Sequence, residues 1–192
     1  GQQIQAFQEI ETIDVQALMA AIGDASAGRE PQVDLQELRL KLGEFEAKAR
    51  ERQLEELQRL AEENQAKAEE FLNAKEQQAG VVALPSGVLY RIIEEGNGPR
   101  PGIDSTVKVH YRSSKIDDTE IDSSFARGVP EEVVVNSVLQ GWQEVLPLMK
   151  QGSTWQIYVP PEMAFGARGN PPAIGPNEAL MFDLKLIEIV NP

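Results

Sequence analysis

Apolar positions in the first third of the chain recur at helical spacing. Ile4, Phe7 and Ile10 read as the tail of one helix. Val15, Leu18, Met19, Ile22 and Ala25 read as a second, with Asp14 as its cap. Gly23 interrupts that second helix, and Gly28 and Pro31 end it. Asp34 then stands three residues before Glu37, the spacing of a capping box. From there to Gln77 there is no proline and only one glycine, Gly43. The spacing predicts a single helix of roughly 44 residues, about 66 Å long at the rise of an α-helix. Its apolar stripe is dense at first (Leu35, Leu38, Leu42, Phe45, Ala49) and thins to Leu54, Leu57, Ala61, Ala68, Phe71 and Leu72. Between these lie Glu, Lys, Arg and Gln, with opposite charges one turn apart at Glu44–Lys48, Glu46–Arg50 and Glu55–Arg59. Each such pair is worth about 0.2–0.5 kcal/mol. The pattern is that of a solvated stalk whose base packs on the short helices. It is not a sustained heptad, so a coiled coil along the full length is not expected.

Beyond residue 80 the period changes from helical to alternating. Val88–Ile93 reads as a strand, followed by a Glu95–Pro99 turn. Thr106–Arg112 alternates cleanly, with Val107, Val109 and Tyr111 inward and Lys108, His110 and Arg112 outward. Glu120–Ser124 and Val133–Val135 read as extended, Gly141–Leu146 as one short helix stopped by Pro147, and the runs around Trp155–Val159 and Leu180–Leu186 as further strands. The fold class is therefore α+β, with five or six antiparallel strands around one short helix.

Composition places the boundary in the same region. Of the 12 prolines only Pro31 precedes residue 80, and of the aromatic residues only Phe7, Phe45 and Phe71. The chain is read as two domains, a helical region over 1–80 and a strand-rich domain over 81–192, with a junction at 77–86 broken by Gly80 and Pro85. A protease-sensitive junction is expected there. The net charge of −13 disfavours nucleic acid. The absence of cysteine excludes a disulfide framework, a thiolate zinc site and a cysteine nucleophile, and the single histidine excludes a multi-histidine metal site. No metal and no cofactor are expected, and no run is long and apolar enough for a membrane span. Gly1-Gln2-Gln3 is not the start of a signal peptide, and the missing initiator Met points to a processed start.

Chemistry-bearing patterns are few. No serine–histidine signature, GxSxG or phosphate loop is present; Gly166-Ala167-Arg168-Gly169 lacks the lysine and the spacing. His110 reads as an ordinary surface or hydrogen-bonded residue. Asp122-Ser123-Ser124 reads first as a turn or cap, and Trp142 as a core residue, with a pocket floor as the sharper alternative.

Five short pieces nevertheless come in order and at tight spacing: His110-Tyr111, Asp122-Ser123-Ser124, Val138-Leu139-Gln140-Gly141-Trp142, Ala164-Phe165-Gly166 and Leu180-Met181-Phe182-Asp183. Together, from about Val88 to Val190, they strongly resemble the FKBP-type peptidyl-prolyl cis-trans isomerases. The preceding helices, joined through GVVALPSGVLY, resemble the macrophage infectivity potentiator (Mip) group of bacterial cell-envelope proteins. The resemblance implies a twisted antiparallel sheet wrapped on a short helix, and a V-shaped homodimer formed by the N-terminal helices. Relative to that group the chain lacks most of the first helix, which would weaken dimerisation.

Carried over position by position, the resemblance makes Tyr111, Asp122 and Phe165 catalytic. It places Ile121, Val133, Val138, Leu139, Trp142 and Phe182 around the substrate, with Arg127 and Ile174 at the rim. Trp142 would be the pocket floor, and the Leu139 N–H would hold a peptide carbonyl. It further implies proline-containing polypeptides as substrates and the macrolides rapamycin and tacrolimus as inhibitors. It implies a folding helper in the periplasm or at the outer membrane of a Gram-negative bacterium, with the cytoplasm still open. The alternative is a holdase-type chaperone or binding module with this fold and little isomerase activity. Four positions depart from the family pattern: Ile121 and Val133 where an aromatic is usual, Phe165 where a tyrosine is usual, and Pro147 where the short helix usually continues.

Overall fold

The computed structural model describes residues 35–191 together with residues 23 and 26–28. Apart from residue 23, the expected helices over residues 4–25 lie outside the described residues, as do the side chains of Leu35 and Leu38.

The long helix, α1, runs Leu35–Glu76, within a residue or two of the span that the lack of proline allows. Arg59 pairs with Glu56 at 2.6 Å and Glu63 at 3.2 Å rather than with Glu55, and Lys67 pairs with Glu63 at 2.8 Å. By its contacts the chain divides at Leu54/Glu55, inside this helix. In the first unit, Leu40 and Leu42 of α1 are exposed and Phe45 is half-buried.

The second unit, Glu55–Pro192, holds the sheet. Its strands are β1 (Val81–Ala83), β2 (Leu89–Glu94), β3 (Thr106–Lys115), β4 (Glu120–Ser123), β5 (Glu131–Val134), β6 (Thr154–Val159) and β7 (Leu180–Asn191). The spatial order is β1-β2-β6-β7-β3-β4, and every pair is antiparallel. One edge of β3 is shared: Thr106–Val109 pairs with β5 and Arg112–Ser114 with β4. That division lets the chain leave the sheet between β4 and β5 through a one-turn helix, α2 (Ser124–Arg127), and leaves room beside Tyr111. Strand β1 is the element that sequence pattern misses. Three residues are too short to show alternation, and Val81–Ala83 is held by pairing to Leu89–Arg91.

Alternation along β6 and β7 splits the apolar residues between the two faces of the sheet. Ile157, Val159, Leu180, Phe182 and Leu184 point to the main core with Trp142, Val145 and Leu146 of the short helix α3 (Gln140–Val145) and the turn after it. Tyr158 and Met181 point the other way and, with Leu89, meet Phe71 and Leu72 of α1. Lys75 lies over the Phe71 and Tyr158 rings at about 5 Å, and Ala68 is fully buried. The end of the helix's late stripe, Phe71 and Leu72, thus covers the back of the sheet, while Leu54 and Leu57 stay exposed. This is why the composition boundary at residue 80 and the contact boundary at Leu54/Glu55 do not coincide.

The short helix sits close to the sheet because of Gly141. A Cβ there would lie 2.7 Å from Val159 Cγ1 and 3.0 Å from Cγ2. After Val145 the chain tightens into a 3₁₀ turn, Leu146–Leu148, with Pro147 near its start, so the helix stays at six residues as Pro147 implies.

Candidate active site

Between the concave sheet face and α3 lies a cavity of about 300 Å³. Its base is Trp142, 6 % exposed, whose ring meets Tyr111 edge-on at 5.3 Å and Phe182 edge-on at 5.4 Å. Each ring arrives by a different route. Tyr111 is an inward position of β3, Phe182 an inward position of β7, and Trp142 is on the sheet-facing side of α3. Trp142 is thus at once a member of the buried core and part of the cavity lining.

Ile121, Val133, Val138, Leu139, Phe165 and Ile174 complete the apolar wall. Leu139 precedes α3 in extended conformation, and its carbonyl accepts the Trp142 and Gln143 N–H groups at 2.9 and 3.0 Å. Its own N–H takes no acceptor among the described residues.

The polar side of the cavity is one network. The Tyr111 hydroxyl donates to Asp122 Oδ2, and Arg127 Nη1 donates to Asp122 Oδ1. The Ser123 N–H donates to Asp122 Oδ1 at 2.8 Å. Arg127 Nη2 reaches Tyr111 Oη at 3.2 Å and Glu131 Oε1 at 2.6 Å. The bond from Tyr111, with Arg127 and the Ser123 amide, holds the Asp122 carboxyl below the ordinary aspartate range. Burial first, and then the Asp122 contact, push the Tyr111 phenol up, while its bonds to Tyr111 and Asp122 push the Arg127 guanidinium up. Aspartate ionisation thus stabilises the fold above the unfolded carboxyl pKa, and that contribution is lost only as pH falls through the lowered folded value. The tyrosine works in the opposite sense: its shift costs nothing below its unfolded pKa of about 10 and costs stability only as pH rises past that point.

The capping reading of Asp122-Ser123-Ser124 also holds. Ser123 Oγ accepts the Ala126 N–H at 3.2 Å to start α2, Gly128 closes it in the left-handed region at φ 71°, and Ser124 Oγ accepts the Tyr111 N–H at 2.7 Å. The cap is what aims Asp122 at Tyr111. His110 lies off the cavity, its ring stacked on Phe125 at 4.8 Å and its Nδ1 3.0 Å from Ser124 Oγ.

Of the residues expected at the site, all but Arg127 line the cavity, and Arg127 binds three that do, Tyr111, Asp122 and Glu131. Four lining residues escape sequence reasoning: Ser113, Glu131, Asn170 and Leu180. Two carried a usable signal. Ser113 shares the face of Tyr111 two residues on, and Leu180 that of Phe182 two residues back. Glu131 stands four residues after Arg127 but across a turn, and Asn170 reaches the cavity only through a bridge to Ile174, so neither had a local signal. Among the described residues no group of three His, Cys, Asp or Glu side chains is placed to hold a metal ion, and no helix is long and apolar enough to cross a membrane.

A sheet folded over one short helix, with an aromatic-floored cavity between them, defines an FKBP-type domain. Residues 98–187 match the family model for FKBP-type peptidyl-prolyl cis-trans isomerases, and residues 1–92 match the domain amino terminal to such isomerases. The chain belongs to this family, in its Mip-like two-domain group. It is 42% identical over 177 residues to the peptidyl-prolyl cis-trans isomerase Mip of Coxiella burnetii, covering 92% of this chain and 77% of that protein. It is 44% identical over 119 residues to the outer membrane protein MIP of Legionella longbeachae, covering 62% of this chain and 51% of that protein. The crystal structure of FkpA from Escherichia coli superimposes with a TM-score of 0.82 at 31% identity, covering 98% of this chain and 87% of FkpA.

Proposed function

We propose that this chain isomerises X–Pro peptide bonds of folding polypeptides inside the cavity floored by Trp142, by taking the bond out of water. Rotation about the bond faces about 18–20 kcal/mol because the planar amide is resonance-stabilised. Resonance places negative charge on the carbonyl oxygen, which water solvates, and the twisted transition state has lost that charge. A dry aromatic enclosure disfavours the planar state more than the twisted one, so binding is stronger where the barrier lies. No proton transfer or covalent step is needed. The observation that carries this reading is the environment itself: four rings, Tyr111, Trp142, Phe165 and Phe182, around one apolar space, with its lining ionisable side chains Tyr111, Asp122 and Glu131 bound to one another through Arg127.

In this reading the Leu139 N–H holds a substrate carbonyl, and Tyr111 and Asp122 orient the chain at the polar side. Phe165, Ile121 and Val133 lack the hydroxyl and ring edges usual in the family, at about 0.5–1.5 kcal/mol each. Neighbours in one pocket are not additive, so the combined loss stays below a thousandfold in kcat/KM. Phe165→Tyr and Ile121→Phe are each expected to raise kcat/KM on a proline tetrapeptide about two- to tenfold. Turnover that neither change improves contradicts this account of the wall. A chain that suppresses aggregation of an unfolded client without accelerating tetrapeptide isomerisation is instead a holdase. Rapamycin and tacrolimus are proposed to fill the same cavity.

Residues 1–80 are assigned to assembly and 81–192 to catalysis. Leu42 at 55% and Leu54 at 61% exposure line the long helix of a single chain, more apolar surface than one solvated helix needs. A second copy of the chain covers them in a homodimer. Light scattering at micromolar concentration is expected to give about twice the chain mass of 21.2 kDa, and a strictly monomeric mass contradicts it. A cell-envelope location is proposed on the strength of the Legionella relative, named as an outer membrane protein.

A further inference from the structure

We propose that Asn64, on the long helix α1, is a positioning residue for the cavity wall formed by Ile174. This rests on the reading of that cavity as the isomerase site. The segment from Gly169 to Glu178 runs between the two places. At its cavity end, Asn170 and Ile174 exchange backbone hydrogen bonds of 2.9 and 3.0 Å, which turns the buried Ile174 side chain into the wall. At its helix end, Asn64 Nδ2 donates to the Pro176 carbonyl at 2.8 Å, and Asn177 Nδ2 reaches back to the Ala61 carbonyl at 3.4 Å.

Little slack separates the two ends. Asn177 sits in the left-handed region at φ 52° and donates its N–H to the Gly166 carbonyl at 2.9 Å, next to Phe165 of the cavity. Gly169, at φ 62°, lies so close beneath the segment that a Cβ would meet the Gly175 carbonyl oxygen at 2.5 Å. A Cβ on Gly175 would come 3.3 Å from Asn64 Nδ2. Pro176 itself is buried, so its carbonyl has Asn64 as partner in place of water. A ten-residue connection without regular structure would otherwise be the soft part of the wall. Here a side chain of the helix takes up one of its buried acceptors, two residues from Ile174.

Removal of this bond frees the loop while leaving the sheet, α3 and the Tyr111–Asp122–Arg127 network in place. The expected result for Asn64→Ala is a KM for a proline tetrapeptide, and a Kd for rapamycin, raised about three- to tenfold, with kcat changed less than twofold. Asn64→Gln, which keeps an amide donor on a longer arm, recovers part of the loss. Arg59→Ala, an exposed change on the same helix, has no effect. Amide exchange of Ile174 accelerates in Asn64→Ala, while amides of β6 and β7 such as Ile157 and Leu184 keep their rates. A merely destabilised protein would speed both. Unchanged KM, Kd and Ile174 exchange in Asn64→Ala, beside an active parent, overturn the inference alone. A parent that neither turns over the peptide nor binds rapamycin overturns the proposed function and the inference with it. Should Asn64→Ala fail to fold, Asn64→Leu, of similar size but without the donor, carries the same comparison, and exchange at Ile174 equal to the parent's overturns the inference.

Discussion

Replacing Trp142 with leucine is expected to lower kcat/KM for a proline tetrapeptide by roughly 30- to 150-fold. The indole is the floor on which a proline ring would lie. Its loss removes about 1.5 kcal/mol of apolar contact and about 0.5–1.5 kcal/mol more of ring-face interaction with the substrate. The same change removes both edge contacts, to Tyr111 and to Phe182, so stability falls as well. Leucine rather than alanine keeps the cavity from collapsing, since aromatic-to-alanine changes in a core cost about 3–5 kcal/mol of a total near 5–15. Joined with Asp122→Ala, which releases Tyr111 and Arg127 from their shared acceptor, activity is expected to fall to the uncatalysed rate. Melting curves and circular dichroism taken beside the rates separate the two effects. A folded Trp142→Leu protein with parental kcat/KM would exclude the indole as the floor.

The second large effect is on stability. Gly141→Ala places a methyl group 2.7 Å from Val159 Cγ1, in a contact where Val159 is fully buried in the sheet. Either α3 moves outward or the strand gives way, at about 1–3 kcal/mol. Since Trp142 is the next residue and Leu139 lies just before, the displacement also tilts the floor and the free N–H. Activity is therefore expected to fall further than a distant change of equal cost would lower it. Val159→Ala opens the space, so the double variant is expected to be more stable than the sum of the two single changes implies. Strict additivity, measured by urea unfolding, would show that the Gly141–Val159 approach is not what sets the helix height.

How far the sequence could be read follows from which contacts are local. Helix α1 was legible to within a residue or two because its limits are set by proline and glycine in the chain itself. The long strands were legible because the face that meets the main core is buried along each, so apolar residues recur there at every second position, although β6 and β7 also bury Tyr158 and Met181 on the other face. The rings of the cavity were legible only through the family resemblance carried by five short motifs; on residue pattern alone Trp142 reads first as a core residue, because the close approach of Gly141 to Val159 that sets it over the cavity is a contact between distant positions. What stayed hidden is what depends on distant partners. Strand β1 exists by pairing with β2. The packing of Phe71 and Leu72 on Tyr158 and Met181 shifts the contact boundary into the helix, although composition changes only at residue 80. Asn170 and Glu131 reach the cavity through turns whose course no periodicity records.

Catalysis by desolvation is tested most directly on the unmodified chain with a proline tetrapeptide, followed by NMR exchange so that no protease is coupled to the reaction. The account predicts interconversion well above the uncatalysed rate, which takes tens to hundreds of seconds, and its suppression by one equivalent of rapamycin per chain. Interconversion at the uncatalysed rate, or acceleration that a saturating macrolide leaves untouched, would contradict it.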